Sequence, residues 1–214
     1  MWFLRDCFMN VHSWFSPTFI SALQREHVSH TFKENNPFPH ILIKDFLEEE
    51  KARQLFAALC TEIFEKKQSD LFSLSQTQDF GGIKRGVLQD FYQLFCSKKF
   101  AQVMQQITGI KLKVGTIDMA GSLYECCDYL LCHDDQLEGR KLAYIHYLSD
   151  TFRENDGGSL ALLADTSGKP GKTMRRYIPQ WNSFIVFLVS PKSWHEVEEV
   201  LTEKKRYAIG GWLH

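Results

Sequence analysis

Three residues with metal-binding side chains stand out in the second half of the chain. His133 and Asp135 lie two positions apart, and His195 follows later. Residues two apart on an extended strand project from the same face. Two imidazoles and one carboxylate form the facial triad that binds Fe(II) and leaves further coordination positions open. The pattern therefore predicts a mononuclear iron site made by His133, Asp135 and His195.

A fourth candidate, Arg206, opens an alternating strand pattern shortly after His195. A guanidinium held there is suited to bind a carboxylate bidentately. A His-x-Asp match has little weight on its own, because the chain has eight histidines and short motifs of this kind arise by chance. Their positions at strand ends raise the weight of the pattern, and spacing and context together leave an iron site and ordinary histidines as even alternatives.

Residues 1–109 have mainly helical patterns. Apolar residues recur at three- and four-residue spacing between Glu48 and Lys67, which predicts an amphipathic helix, and a second long helix is predicted from Val87 to Ile107. A short strand is expected over 40–43. The polar segment 68–86 is predicted to be a loop that either covers a bound peptide or has no role.

Residues 110–214 have a different texture, in which short strand-like runs alternate with turns. About eight such strands indicate a β-sandwich or jelly roll rather than βαβ units. The predicted fold class is thus mainly β with flanking helices. We expect one domain over 1–214, with 1–109 as mostly helical support and 110–214 as the β core.

The composition is that of a globular protein: 214 residues, 44% hydrophobic, with a formal net charge of −1. This charge balance argues against wholesale nucleic-acid binding. Six cysteines form no C-x-x-C pair, and the N-terminus does not resemble a secretory signal, which predicts free thiols in a reducing compartment. Cys126 and Cys127 are expected to be small buried side chains that face opposite ways on a strand.

Longer motifs surround the candidate residues. The run YECCDYLLCHDDQLEGR (124–140) contains His133 and Asp135, and DGGSL (156–160), IPQWN (178–182) and RYAIGGW (206–212) follow it. Together these segments resemble the eukaryotic 2-oxoglutarate/Fe(II) prolyl hydroxylases that act on ribosomal protein uS12. The resemblance extends over residues 36–214.

The resemblance implies a double-stranded β-helix (jelly roll) supported by N-terminal α-helices, with His133, Asp135 and His195 as Fe(II) ligands. It implies that Arg206 takes the distal carboxylate of the cosubstrate 2-oxoglutarate. The further cofactor-binding candidates are Tyr147, Tyr124 and Asn182, of which Asn182 lies behind the ligands at best. The implied reaction hydroxylates C3 of a prolyl residue in a protein, expected to be uS12. It consumes O2, releases succinate and CO2, and has ascorbate in a supporting role.

The chain departs from this family at two points. Many relatives have a serine two residues after the arginine, where this chain has Ala208, so that Tyr147 is expected to carry more of the cosubstrate contact. The family normally has a second β-helix domain after the catalytic one, and this sequence stops at His214. We therefore expect either a single-domain relative or part of a longer protein.

Two other functions stay open. A nucleic-acid demethylase of the same superfamily is disfavoured because Trp212 stands where those enzymes have a second arginine. A non-catalytic binding module would not need all four candidate residues. We expect a protein substrate, no membrane contact, nucleic-acid contact only near the basic turn at 169–176, and a location in the cytoplasm or nucleus.

Overall fold

A computed structural model describes residues 13–23, 27–149 and 151–214. The helices of these ranges lie in the first half of the chain and the strands continue to its end. The helices are α1 (Pro17–Leu23), α2 (His27–Glu34), α3 (Glu49–Leu59), α4 (Val87–Cys96) and α5 (Lys98–Thr108). The strands are β1 (His40–Ile43), β2 (Glu65–Ser69), β3 (Phe72–Gln76), β4 (Ile117–Tyr124), β5 (Tyr129–His133), β6 (Leu142–Tyr147), β7 (Leu160–Asp165), β8 (Pro170–Tyr177), β9 (Ser183–Leu188), β10 (His195–Val197) and β11 (Arg206–Leu213).

The strands form one curled antiparallel sheet. Its order is β1-β9-β6-β11-β4-β3-β5-β10-β7-β8, with β2 paired to β3. The two terminal strands of this order approach each other, because His40 Nε2 of β1 lies 2.6 Å from the Tyr177 hydroxyl of β8. The predicted fold class, mainly β with flanking helices, is therefore confirmed.

The alternation of side chains along the strands gives the sheet two apolar faces. Tyr144 of β6 and Phe184 of β9 belong to the large core that the helices cover. Their neighbours Tyr147 and Phe187 belong to a smaller cluster on the inner face of the curl. The helices thus support the outer face, and the inner face is left to line a cavity.

The helix predicted from Val87 to Ile107 is two helices. Ser97 has an extended backbone (φ −73°, ψ 148°), and its hydroxyl accepts a hydrogen bond from the N–H of Phe100 at 3.1 Å. A serine in this role begins a helix and ends the preceding one. Periodicity does not reveal this break, because both helices bury an apolar stripe.

The first half of the chain also contributes three strands to the sheet, so it is not helical support alone. α3 ends at Leu59 rather than continuing to Lys67, and the hairpin β2–β3 occupies the end of that predicted helix and the first part of the segment predicted to be a polar loop. β3 lies between β4 and β5. The hydrophobic pattern of the sequence does not reveal this strand, because two of its buried residues, Ser73 and Ser75 on either side of Leu74, are polar.

Asp128 fastens this hairpin to the start of β5. Its buried carboxylate accepts hydrogen bonds from Ser73 Oγ of β3 at 2.6 Å and from the ammonium of Lys66 of β2. Burial acts to raise the pKa of Asp128, but the N–H of Glu125, which donates to Oδ2 at 3.0 Å, together with Lys66 and Ser73 more than offsets this effect and lowers the pKa. The hairpin is therefore tied to the turn that precedes β5.

No helix within the described ranges is long and apolar enough to cross a membrane.

Candidate metal centre and its cavity

The structure brings His133, Asp135 and His195 together. Asp135 Oδ1 lies 3.4 Å from His133 Nε2, and Asp135 Oδ2 lies 3.2 Å from His195 Nε2. All three possible ligand atoms lie within 4.8 Å of one another. Ligand bonds of about 2.1 Å at right angles separate two donor atoms by about 3 Å. The three side chains therefore have the spacing of a facial metal site.

Strand pairing places the two histidines. His133 at the end of β5 and His195 at the start of β10 are direct partners in the antiparallel register, and their ring centroids lie 4.2 Å apart. Each ring also has its Nδ1 close to the backbone carbonyl two residues earlier in the chain, Leu131 O and Ser193 O, both at 2.8 Å. A carbonyl only accepts, so each Nδ1 carries a proton and Nε2 is the ring nitrogen that faces Asp135 and would bind a metal once it is unprotonated.

Asp135 reaches the site by a backbone feature that the sequence pattern does not predict. β5 ends at His133, and Asp135 lies beyond it with a positive φ of 61°. Aspartate tolerates this left-handed conformation better than most residues. The carboxylate therefore meets the imidazoles through a left-handed loop residue rather than through strand alternation.

The triad has the electrostatics of a carboxylate between two imidazoles. Burial acts to raise the pKa of Asp135, but the hydrogen bonds from His133 and His195 more than offset it and leave the pKa well below its usual value. Burial likewise disfavours a charged His133, while Asp135 raises its pKa overall. The arrangement holds a carboxylate anion ready for a cation.

These three residues lie in a cavity of about 620 Å³ inside the curl of the sheet. One part of its wall is apolar and includes Leu130, Leu160 and Phe187. Another part is polar and lies toward the opening. Its side chains are those of Glu65, Lys67, Gln76, Gln78, Asp79, Asp118 and Arg140. The cavity thus combines a closed apolar end with a polar mouth.

Arg206 lies in the apolar part of the cavity and is almost completely buried, with 1% of its surface exposed. Its Nε donates to the carbonyl of Gly158 at 2.8 Å, while Nη2 is buried without a hydrogen-bond partner. A buried guanidinium with an unpartnered N–H is costly unless an anion completes it. Arg206 therefore fits a carboxylate ligand that enters the cavity beside the triad.

Two tyrosines flank this guanidinium. The ring centroids of Tyr124 and Tyr147 lie 4.8 Å and 5.1 Å from Arg206 Cζ, because β11 pairs with β4 on one side and with β6 on the other. Burial raises the pKa of both phenols, that of Tyr124 to about 12, against the opposing effect of Arg206. Both hydroxyls are therefore neutral donors, and the Tyr147 hydroxyl is buried without a partner.

Gly158 shapes the pocket that holds Arg206. It has a positive φ of 66°, and an added Cβ would lie 3.1 Å from Val200 and 3.3 Å from Arg206 Cδ. A side chain at this position would be strained and would push against the guanidinium stem. The Asp-Gly-Gly motif thus lets the backbone approach Arg206 closely enough to accept from it.

Asn182 is not placed to bind a cofactor. Its side-chain amide exchanges two hydrogen bonds with the backbone of Leu47, at 3.0 and 2.7 Å, and its Oδ1 lies 3.2 Å from His146 Nε2. His146 packs against Phe46 and Phe91 in the outer core, on the face of β6 opposite to Tyr147. The prediction for Asn182 is corrected: it fastens the 45–47 segment to the sheet.

Sequence reasoning missed two residues that face the cavity, Arg140 and Trp212. The Arg140 guanidinium carbon lies 3.3 Å from the centroid of the Trp212 ring, and Arg140 Nη1 lies 4.0 Å from Asp135 Oδ1. The indole Nε1 of Trp212 is buried and has no partner. The sequence contained a signal for Trp212. It follows Arg206 by an even number of positions on one strand, so the two side chains share a face of the sheet.

A curled antiparallel sheet with an internal two-histidine, one-carboxylate cluster and a buried arginine beyond it is the arrangement of a non-haem iron oxygenase that takes an acidic cosubstrate. The comparison with protein families agrees with this class. Residues 119–214 match the model of the 2OG-Fe(II) oxygenase superfamily. This part of the chain, which holds the triad and Arg206, is similar to that superfamily, for which Fe(II) and 2-oxoglutarate are the implied cofactor and cosubstrate.

Several relatives share most of the chain. A prolyl 3-hydroxylase, OGFOD1, from Xenopus laevis is 38% identical over 186 residues, which are 83% of this chain and 35% of the relative. A prolyl 3,4-dihydroxylase OGFOD1 from Ostreococcus tauri is 33% identical over 84% of this chain and 38% of its own length. The resemblance seen in the motifs is thus confirmed. The chain spans about a third of the length of the curated relatives it matches.

Solved structures confirm the double-stranded β-helix fold. A prolyl-4-hydroxylase from Pseudomonas putida has a TM-score of 0.69 at 16% identity and covers 87% of this chain and 98% of that one. A prolyl hydroxylase from Trichoplax adhaerens, in complex with a hypoxia inducible factor peptide fragment, has a TM-score of 0.66 at 19% identity. It covers 92% of this chain and 93% of that one. At these identities the likeness concerns the fold alone.

Proposed function

We propose that this chain is an Fe(II)- and 2-oxoglutarate-dependent dioxygenase that hydroxylates a prolyl residue of a protein. The observation that supports it best is one cavity that holds both the triad His133–Asp135–His195 and the unpartnered buried groups of Arg206 and Tyr147. A metal-binding set beside buried donors without partners matches a cosubstrate that chelates a metal at one end and has a carboxylate at the other. The names of the curated relatives supply the prolyl specificity.

The residues present fit both groups. His133 Nε2, His195 Nε2 and the Asp135 carboxylate would hold Fe(II), and Arg206 Nη2 with the Tyr147 hydroxyl would hold the distal carboxylate of 2-oxoglutarate. When bound, the iron and cosubstrate supply the oxidising chemistry: O2 is consumed, 2-oxoglutarate becomes succinate and CO2, and a C–H bond becomes C–OH. Ascorbate would act as a supporting reductant.

The side chains of the protein hold the binding groups in fixed positions and keep water away from the reacting groups. Arg206 cannot swing away, because its Nε is bound to Gly158 and its guanidinium lies between two tyrosine rings. The carbonyls of Leu131 and Ser193 keep the histidine rings aimed at the cavity. Apolar side chains close the inner end and exclude water from the reacting groups. Ala208 is fully buried and offers no donor, which supports the larger share assigned to Tyr147.

The substrate would enter at the polar mouth. Arg140, one of the side chains of this mouth, packs on Trp212 and lies beside Asp135, and this aromatic ring with a flat cation would suit a small saturated ring with adjoining peptide groups. C3 hydroxylation follows from the name of the frog relative. The motif resemblance makes ribosomal protein uS12 the proposed substrate, modified in the cytoplasm or nucleus.

The test is mass spectrometry of purified uS12, or of a peptide that covers its prolines, incubated with the chain, Fe(II), 2-oxoglutarate and O2. We expect one or two added oxygens on a proline, with succinate formed in the same amount. Asp135→Ala should abolish both products, whereas His30→Ala, which changes an exposed histidine away from the cavity, should not. Succinate formation without oxidised uS12 would reject the substrate, and equal turnover by Asp135→Ala would reject the site.

A further inference from the structure

Cys126 and Cys127 lie on the turn that joins β4 to β5. The N–H of Asp128 donates to the carbonyl of Glu125 at 2.9 Å and closes the turn over the two cysteines, and Cys127 has a positive φ of 69°. Both side chains are exposed, and their sulfur atoms lie 3.6 Å apart. The expectation of buried, opposed side chains is wrong because neither residue belongs to a strand.

The turn is anchored on both sides. The N–H of Cys127 donates to Val200 O at 2.8 Å, and the N–H of Val200 donates to Asp128 O at 3.0 Å. Asp128 is itself buried and bound to Ser73. The two thiols are therefore held side by side on a fixed backbone, which lowers the entropic cost of binding one ligand with both.

The pair would bind a ligand by losing its thiol protons. The contact with Cys127 raises the pKa of the Cys126 thiol, and Glu203 and Glu199 act in the same direction, so a ligand has to displace these protons from sulfur when it binds. A disulfide between neighbours is strained, because adjacent Cα atoms are about 3.8 Å apart and ordinary disulfides span about 4.4–6.8 Å. Chelation does not need this closer approach of the sulfurs.

The sulfur separation suits a soft centre bound by both thiols. Two sulfurs that each bond at about 2.3 Å to one centre are about 3.3 Å apart at a right angle and about 3.8 Å apart at the tetrahedral angle, and the 3.6 Å between Cys126 and Cys127 lies within this range. In the described part of the chain, the triad is the one group of three or more potential metal ligands. The cysteine pair thus fits a ligand that needs two thiolates and no third side chain.

We propose that Cys126 and Cys127 form a two-thiolate chelating site for a soft, thiophilic metal or metalloid, of which trivalent arsenic is the form that needs no further protein ligand. With a monosubstituted arsenic(III) oxide, both S–H bonds break and two As–S bonds form. The oxide oxygen leaves with the two protons as water, and the oxidation state of arsenic does not change. The site is separate from the triad and from the proposed hydroxylation.

The test uses phenylarsine oxide as the probe and intact mass spectrometry of the full chain. In the presence of excess glutathione, a monothiol, we expect one arsenical to stay bound to the wild-type chain, and 2,3-dimercaptopropanol, a dithiol, to remove it. Cys126→Ser and Cys127→Ser should each lose this glutathione-resistant adduct. Cys60→Ser and Cys7→Ser, which leave the pair intact, should keep it.

The result is read without any activity measurement, so it is independent of the proposed function. Both serine variants replace exposed thiols, and unchanged melting temperatures will confirm that they fold. A wild-type chain without a glutathione-resistant adduct would overturn the proposal. Retention of the adduct by Cys126→Ser or Cys127→Ser, or a peptide map that places arsenic elsewhere, would overturn it as well.

Discussion

At the scale of residues, the most informative feature of this protein is a set of buried polar atoms that have no hydrogen-bond partner. Arg206 Nη2, Tyr147 Oη and Trp212 Nε1 are all buried without partners, although buried polar groups in folded proteins are nearly always hydrogen-bonded. Arg206 and Trp212 are residues of β11 that line the cavity. Tyr147 is on the neighbouring strand β6 and lies beside the Arg206 guanidinium. Such clustering is the expected cost of a site that a ligand completes.

Tyr147→Phe should have opposite effects on stability and on cosubstrate binding. It removes a hydroxyl that lacks a partner, so the ligand-free protein should keep or gain stability in urea denaturation. The same change removes a donor to 2-oxoglutarate, and one neutral hydrogen bond of about 1 kcal/mol corresponds to a several-fold loss of affinity. An unchanged apparent KM for 2-oxoglutarate would remove Tyr147 from the anion pocket.

Arg206→Ala should mainly weaken 2-oxoglutarate binding. Hydrogen bonds to a charged group contribute about 1.5–3 kcal/mol each, so the apparent KM for 2-oxoglutarate should rise at least roughly tenfold. Succinate production at saturating cosubstrate should fall less. Arg175→Ala on the exposed strand β8 is the matched control. A normal KM in Arg206→Ala would contradict the assignment.

At the scale of elements, two links between side chains and distant segments hold parts of the fold together. His146 and Asn182 connect β6 to the 45–47 segment from the outer face, and Asp128 connects the β2–β3 hairpin to β5. Both links bury a titratable group, so both make predictions about stability. Neither touches the triad.

His146 should make the protein less stable as the pH falls from about 6.5 to about 4. Burial lowers its pKa to about 4, against 6.5 in the unfolded chain, so the unfolded state binds more protons between these values. The stability that neutral His146 contributes is complete above the unfolded pKa and is lost toward the folded pKa, by up to about 3 kcal/mol. Urea denaturation of wild type and His146→Gln across this range should show a smaller pH slope in the variant, and equal slopes would contradict the prediction.

Asp128→Asn should loosen the β2–β3 hairpin more than the rest of the sheet. It weakens a buried acceptor of Lys66 and Ser73, which we expect to cost about 1–3 kcal/mol. Hydrogen exchange should become faster in β2 and β3 while β9 stays protected. Asp70→Asn, in the exposed turn of the same hairpin, is the control and should leave exchange unchanged. Uniform acceleration over all strands would contradict a local fastening role.

At the scale of the whole molecule, the curl of the sheet converts distant segments into one site. β4, β5, β6, β10 and β11 supply Tyr124, His133, Tyr147, His195 and Arg206 respectively. The contact between His40 and Tyr177 brings the two ends of the strand order together. Ligands that bind this site therefore stabilise the sheet as a whole.

Fe(II) and 2-oxoglutarate added together without oxygen should raise the melting temperature. A ligand at one hundred times its Kd stabilises by about 2.7 kcal/mol, which corresponds to roughly 5–10 °C for a chain of this size. Asp135→Ala should abolish the shift, and Asp134→Ala, its neighbour outside the triad, should retain it. A full shift in Asp135→Ala would show that the metal binds elsewhere.

Side-chain chemistry and short motifs were enough to select His133, Asp135, His195 and Arg206, because a facial triad and an anion-binding arginine need particular residue types. Alternation along the strands also assigned Tyr147 and His146 to opposite faces. Periodicity did not reveal the β2–β3 hairpin, because two of the five residues of β3 are serines. It did not reveal the break at Ser97 either, since capping is decided by one side chain.

The sequence by itself determined the mainly β class, the candidate metal ligands and the resemblance to a family, since these depend on residue type and local spacing. Only the tertiary structure decided which polar groups are left without partners, because that depends on what every neighbouring strand supplies. It also excluded Asn182 from the site, added Arg140 and Trp212, and placed the thiols of Cys126 and Cys127 side by side. Those outcomes depend on backbone conformation and on contacts between distant segments, neither of which local spacing contains.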